Sequence, residues 1–361
     1  MFEKIFPSDE MSKRERVERA LNLQATDRVP LHDQISYNPG VVSMFAGKPI
    51  RGHDYTERDI GAAIAKSLDC CFEPYAPCGT AQHTDEEGFV WKNDQWTRWR
   101  VARPFADEHG AKDWLVRRTQ RERRELAAFD PNAFRAAYQK RVQSIQSLIG
   151  ETVFMDYSIG TGFCYIFDSM GLDIYSFFQL EYPEVLAEAM EVSTELAVKK
   201  INAGTDVSLS PVVLLAEDFA TKQGPIFSLE FLREYHFPHV GRLVAAWKNN
   251  GMKVLYHSDG NYKKCIPDLM ACGVDGFYCL EPNCGMDIVE LKNTWPQMVW
   301  AGGVDGVDLL ERGTPEQVKA EVARHIRETG ALENGGMLIA SSSEINPTVK
   351  PENFKAMVEA C

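Results

Sequence analysis

The chain reads as an α/β protein, a single (β/α)8 barrel with an N-terminal helical extension and a β-hairpin excursion. Three observations predict this. Beyond about residue 120, apolar runs of strand length alternate with stretches of helix length. The runs are nearly continuous in hydrophobicity, as strands of a parallel sheet covered on both faces are. Together with two earlier runs their number reaches about eight, which suits a closed barrel. An open doubly wound sheet is the alternative, but no G-x-G-x-x-G follows an early strand to support a dinucleotide fold.

The elements follow in order. Residues 10–23, EMSKRERVERALNL, have the spacing of an amphipathic helix. Arg28-Val29-Pro30-Leu31 begins a strand within 27–36, and a second strand is expected at 67–73. Residues 85–105 alternate aromatic with polar side chains around Asn93-Asp94, the signature of a β-hairpin outside the main fold. Then come the repeating units: strand 152–158 with helix 183–203, strand 207–218 with helix 228–250, and strand 252–258 with helix 262–272. Strand 274–282 with helix 286–295, strand 298–304 with helix 315–329, and strand 336–343 with helix 351–360 complete the series. With no low-complexity segment, short repeat or Pro/Ser-rich linker, residues 1–361 read as one domain.

Composition narrows the function. Hydrophobic residues make up 44%, enough for a large core. The formal net charge of −13 argues against nucleic acid and against an anionic membrane surface as ligands, since both need clustered Lys and Arg. No run of 18 apolar residues exists, and the charged N-terminus has no signal-peptide core, so a cytoplasmic protein is expected. The nine cysteines are odd in number and form no paired CxxC pattern. In a reducing compartment they read as small hydrophobes.

Active sites of parallel barrels lie at the C-terminal ends of the strands. Those ends carry Asp33 and Tyr37, Glu73, Asp156 and Tyr157, Glu217 and Asp218, His257 and Asp259, Glu281, Asp305, and Ser341 to Ser343. An acid after a strand is often only the N-cap of the next helix, a sufficient account for Asp156 and Asp305 and an open one for Asp218. His257 stands apart, because it follows Val254-Leu255-Tyr256 directly and so projects from the rim. Glu217, His257, Asp259 and Glu281, from three strands, are the candidate catalytic or metal-binding group. One imidazole with carboxylates suits zinc, and equally suits metal-free acid–base chemistry. "GTGFCYIFDSMG" (160–171) offers Phe163 and Tyr165 as an apolar wall, with Tyr37 and Tyr256 as weaker candidates; core packing is the competing account. His236 and His239 are expected mid-helix in a packing role, and the basic run at 117–125 as a solvated helix face.

These segments resemble the uroporphyrinogen decarboxylase superfamily over nearly the whole chain. "MSKRERVERALNLQATDRVPL" is similar to the family's opening helix and strand, and "LLAEDFATKQGPIFSLEFLREYHFPHVGRLV" to its acid-pair strand and following helix. "HSDGN", "AGGVDGVDLLERGTPEQVKAEV" and "MLIASSSEINPTVKPENFKAMVEA" resemble later segments. The resemblance implies a single (β/α)8 barrel and a tendency to dimerise. True decarboxylases carry an arginine-rich motif similar to RQAGRY, whereas this chain reads "HDQISYNPGVV" with no arginine until Arg51. The other branch contains cobalamin-dependent methyltransferases. In its thiol-methylating group the zinc motif is His-x-Cys with a late Cys, and the matching positions here are His257, Asp259 and Ser343. Oxygen ligands make a harder site, better suited to an ether oxygen than to a thiol.

The resemblance therefore implies the substrate-side methyltransferase of an O-demethylase system of anaerobic one-carbon metabolism. It would move methyl from a small methoxylated aromatic compound to the cobalt of a separate corrinoid protein. The expected assignment is Glu217, His257 and Asp259 as catalytic residues and, with Glu281, as ligands of zinc. Tyr37, Phe163, Tyr165, Tyr256, Glu281 and Ser343 are expected at the substrate. A methylcorrinoid-to-acceptor methyltransferase, a decarboxylase or lyase, and a non-catalytic corrinoid-binding protein are the alternatives.

Overall fold

Eight short parallel strands close on themselves in the computed structural model, which describes residues 2–361. In chain order the strands are β1 (His32–Asp33), β2 (Cys70–Cys71), β3 (Thr80–Thr84), β4 (Val90–Asp94), β5 (Thr97–Ala102), β6 (Val153–Phe154) and β7 (Val212–Ala216). They continue as β8 (Ala220–Thr221), β9 (Gly224–Pro225), β10 (Lys253–His257), β11 (Gly276–Tyr278), β12 (Val299–Val304) and β13 (Met337–Ser341). One run of parallel pairs is β1-β2-β6 and another is β7-β10-β11-β12-β13. Parallel bridges between Asp156 and Val213, and between Leu31 and Ile339, join the two runs into a ring. The expected barrel is therefore present, with β3 to β5 as the excursion.

Alternation along each strand sorts the core into two layers. Leu214, Leu255, Ala301 and Leu338 belong to the cluster inside the ring. Val213, Tyr256, Phe277, Trp300 and Ile339 belong to the cluster between the ring and its helices. The helix Lys13–Leu21 is capped by Ser12, whose hydroxyl accepts from Glu15 N–H at 3.2 Å. Its Val17 and Leu21 join the inner cluster and plug the base of the barrel.

Several boundaries shift for local reasons. Strand 207–218 begins only at Val212, because Asp206 to Ser210 forms a turn held by Ser208 on Asp206. The helix expected over 228–250 is two, Leu229–Tyr235 and Phe237–Asn249. Pro238 lacks the N–H that a continuous helix requires, and His236 leaves helical geometry. His236 thus sits at a helix junction rather than mid-helix. The helix Pro315–Thr329 matches its expected bounds, fixed by a Thr314–Gln317 capping box and by Gly330 in the left-handed region. The excursion is a three-stranded antiparallel sheet, β3-β4-β5, rather than a hairpin. Its extra strand, Thr80–Thr84, is wholly exposed and gives no apolar signal in the sequence. The turn is Gln95-Trp96, with Gln95 at φ +59°, while Asn93 and Asp94 pair within the ladder.

Two buried polar devices hold the ring. Beneath it, Arg16 bonds Asp27 and Asp69 at 2.7 Å, and Arg28 bonds Asp9 at 2.8 Å and Asp69 at 2.6 Å. This ties the N-terminal helix to the start of β2. At the β1–β13 seam, the Asp33 carboxylate accepts from Ser341 N–H at 3.0 Å and from the Ser341 hydroxyl at 2.8 Å. Burial drives the Asp33 pKa up, against the Ser341 and Gln34 hydrogen bonds, to about 7.

Asp69→Ala leaves two buried guanidinium groups short of a partner and should cost about 3–5 kcal/mol in urea denaturation. For Asp33 the folded pKa of about 7 lies above its ordinary 3.8. Its contribution to stability is complete below the ordinary value and is lost as pH rises through the folded one. Stability should fall across that window by an amount on the order of 4 kcal/mol. Asp33→Asn should flatten that slope in urea titrations at successive pH values.

Candidate active site

The mouth of the barrel holds a cavity of about 470 Å³. His257, the last residue of β10, lies two positions beyond Leu255 and so faces inward like it. Its Nε2 lies 3.2 Å from Asp218 Oδ1 and 3.7 Å from Asp259 Oδ1. A ring nitrogen of His257, a carboxylate oxygen of Asp259 and Cys279 Sγ lie within 4.8 Å of one another. Asp218 also accepts from Asp259 N–H at 2.9 Å, which locks the two acids into one turn. That turn closes at Gly260, φ +75°, where an added Cβ would meet the Thr221 carbonyl oxygen at 2.6 Å. The sequence His-Ser-Asp-Gly thus encodes a rim histidine, an acid beside it and a glycine that lets the chain escape.

The electrostatics follow from burial and pairing. Burial pulls the His257 pKa down, but the hydrogen bond and charge of Asp218, then the charges of Asp259 and Glu281, outweigh it, and the net shift is upward. Burial raises Asp218 while its bond to His257 lowers it further, so it is held below the usual carboxylate range. Asp259 is raised, by burial and by the neighbouring acids. Burial keeps the Cys279 thiol far above its ordinary value in the absence of a cation.

Aromatic rings line the remaining wall. Phe72 meets Tyr157 and Tyr278 edge to face, at centroid separations of 5.0 and 5.6 Å. Tyr278 lies 5.6 Å from the His257 ring. Tyr37 and Trp96 pair at 5.7 Å, so the turn of the excursion reaches over the mouth. His32 is buried behind this wall against Phe72 and Tyr278, and burial lowers its pKa to about 3, leaving it neutral.

Of the residues expected here, His257, Asp259, Tyr37 and Ser343 line the cavity. Glu281 stands one step back: its carboxylate accepts from Gly260 N–H at 2.6 Å and braces the turn that carries Asp259, outside the three residues that could hold a metal ion. Glu217 is not with His257. Strand alternation turns it away, and its buried carboxylate accepts from Thr161 N–H and hydroxyl at 2.6 Å and from Cys164 N–H at 2.9 Å. It pins the start of the helix Phe163–Met170, with its pKa raised by burial against those bonds. Tyr256 also faces outward, and its hydroxyl pairs with His236 Nε2 at 2.8 Å. Phe163 is buried among Phe167, Phe227 and His236, and is core rather than wall. Tyr165 borders a separate cavity beside Glu217, under the Arg118 guanidinium. Asp305 caps the following helical turn, as its position allowed. Asp218 caps no helix and belongs to the site. Cys279 is hidden among nine scattered cysteines; its signal is a place directly after β11, the strand paired with that of His257.

A family model for uroporphyrinogen decarboxylase (URO-D) matches residues 161–361, more than half of the chain. The chain belongs to the uroporphyrinogen decarboxylase family. No curated protein matches this family member in sequence. Its fold is similar to that of a solved methyltransferase from Methanosarcina mazei, with a TM-score of 0.65 at 17% identity, covering 97% of this chain and 98% of that one. A B12-independent methionine synthase from Shewanella sp. W3-18-1 aligns at a TM-score of 0.42 and 12% identity, over 92% of this chain and 97% of that one. Among the described residues of this URO-D family member, no helix is long and apolar enough to cross a membrane.

Glu217→Gln replaces an acceptor facing three donors with an amide and should lower stability by about 1–3 kcal/mol in urea denaturation. Asp218→Asn should instead lower the His257 pKa, read by NMR as a ring-proton titration midpoint at lower pH.

Proposed function

We propose that this protein is a methyltransferase that moves methyl from a small methoxylated aromatic compound to the cobalt of a separate corrinoid protein. The observation that carries the reading is the His257–Asp218–Asp259–Cys279 group set opposite aromatic rings in an open cavity at the barrel mouth. Phe72, Tyr157 and Tyr278 provide faces and edges for an aromatic guest. The fold shared with a methyltransferase supports the same direction. Decarboxylation of a tetrapyrrole bearing eight carboxylates lacks support. The one arginine on the cavity wall, Arg98, lies over Trp91 at 4.2 Å, and Asp218, Asp259 and Glu344 would repel such a substrate.

Zinc fits the donor set. Nitrogen, oxygen and sulfur donors from His257, Asp259 and Cys279 converge, and three protein ligands are the number a catalytic zinc keeps. Bound there, zinc would act as a Lewis acid towards the ether oxygen. The protein's own contribution is orientation. Asp218 stands beside the imidazole, Glu281 holds the turn of Asp259, and the rings offer the arene an apolar slot. Phenoxide is a poor leaving group, so the charge growing on oxygen needs a positive group beside it, which would be the zinc held by His257, Asp259 and Cys279 or, without it, the His257 imidazolium.

Purified protein, a cobalt(I) corrinoid carrier and guaiacol should yield catechol and methylcobalamin, followed as a change in the visible spectrum. His257→Ala should slow this by about 10²–10⁴-fold. Absence of any spectral change with every methoxyarene tried would sink the reading. Elemental analysis should find zinc in the parent protein and in Glu217→Gln, and none in His257→Ala or Cys279→Ala.

A further inference from the structure

We infer that the same cavity binds methylated onium cations, quaternary ammonium or sulfonium compounds, and accepts them as methyl donors. The donor half rests on the methyl-transfer reading above; the binding half does not. An onium methyl group neither gives nor takes a conventional hydrogen bond. It is recognised by ring faces and by diffuse negative charge. Both are on the wall. Phe72, Tyr157 and Tyr278 form one contiguous aromatic group, and Tyr37 with Trp96 forms another. Three carboxylates, from Asp218, Asp259 and Glu344, share the lining with one imidazole, and a zinc held by His257, Asp259 and Cys279 would still leave Asp218 and Glu344 to face the guest. The single arginine there is drawn aside, stacked on Trp91 and in contact with His83. The balance of the wall is anionic, which opposes carboxylated guests and favours cations.

The transfer step balances without acid. The carbon–nitrogen or carbon–sulfur bond breaks with its electron pair left on the heteroatom. The carbon–cobalt bond forms with the pair supplied by the cobalt(I) corrinoid of the partner. The leaving group is a neutral amine or thioether, so no proton moves. An onium donor therefore asks for charge recognition in the ground state, where a methoxyarene asks for charge relief at oxygen.

The test compares choline with its neutral isostere dimethylbutanol, in which carbon replaces the charged nitrogen, by titration calorimetry on the full chain without corrinoid. Choline should bind about tenfold tighter or better. Tyr157→Leu, at a half-exposed position that leaves the core intact, should bring the two towards parity. Equal binding, tighter binding of the alcohol, or no heat from choline at millimolar concentration overturns the inference. With cobalt(I) corrinoid added, choline should yield dimethylaminoethanol and methylcobalamin. Choline bound but not demethylated overturns the donor half, and demethylation of guaiacol by the same preparation would leave the methyl-transfer reading standing.

Discussion

The register between β7 and β10 decides the chemistry at the mouth. His257 pairs with Ala216, and the two strands stay in step through Lys253 and Val212. Side chains alternate across a strand, so 214, 216 and 218 face in while 213, 215 and 217 face out. Asp218 is thereby delivered to the imidazole, and Glu217 is delivered to the helix outside. A slip of one residue would exchange the two acids. The inner cluster of Leu214 and Leu255 and the outer one of Val213 and Tyr256 make such a slip prohibitive.

From that register the remaining polar contacts follow as supports. Asp218 accepts from the backbone of Asp259, Glu281 accepts from the backbone of Gly260, and the turn between them cannot rotate. Glu217 does the corresponding work on the far side of β7, where it gathers Thr161 and Cys164 into the start of a helix. Two adjacent acids thus serve two environments and their pKa values move apart: burial takes Glu217 upward, while the bond to His257 takes Asp218 downward against its burial. Membership of the URO-D family gives the scaffold. At the mouth tyrosines and acids predominate, and Arg98 is the one arginine on the wall.

Much of this was legible in the sequence. The barrel, its strand order and the rim histidine follow from apolar runs and from what ends them. Glu217 departs from its expected place because an acid pair at a strand end does not itself say which acid faces in; the period of two from Leu214 favours Asp218. Phe163 and Tyr165 were misplaced because an aromatic segment after a strand looks the same whether it roofs a cavity or packs beneath one. Cys279 was missed because a lone cysteine carries no spacing signal, and only the pairing of β10 with β11 brings it to His257. The strand Thr80–Thr84 and the helices Pro39–Ala46, Glu57–Ser67, Glu108–Ala127 and Pro131–Ile149 lie where no repeat pointed.

The plug formed by Val17 and Leu21 has a kinetic side. A chamber stoppered at its foot exchanges its contents through its head. If a bulky carrier brings its cobalt to that same doorway, the small guest must already be seated when the carrier arrives, and the spent guest waits until the carrier leaves. Turnover would then run as a queue, with a compulsory order of arrival imposed by two aliphatic side chains on the opposite side of the barrel from the chemistry.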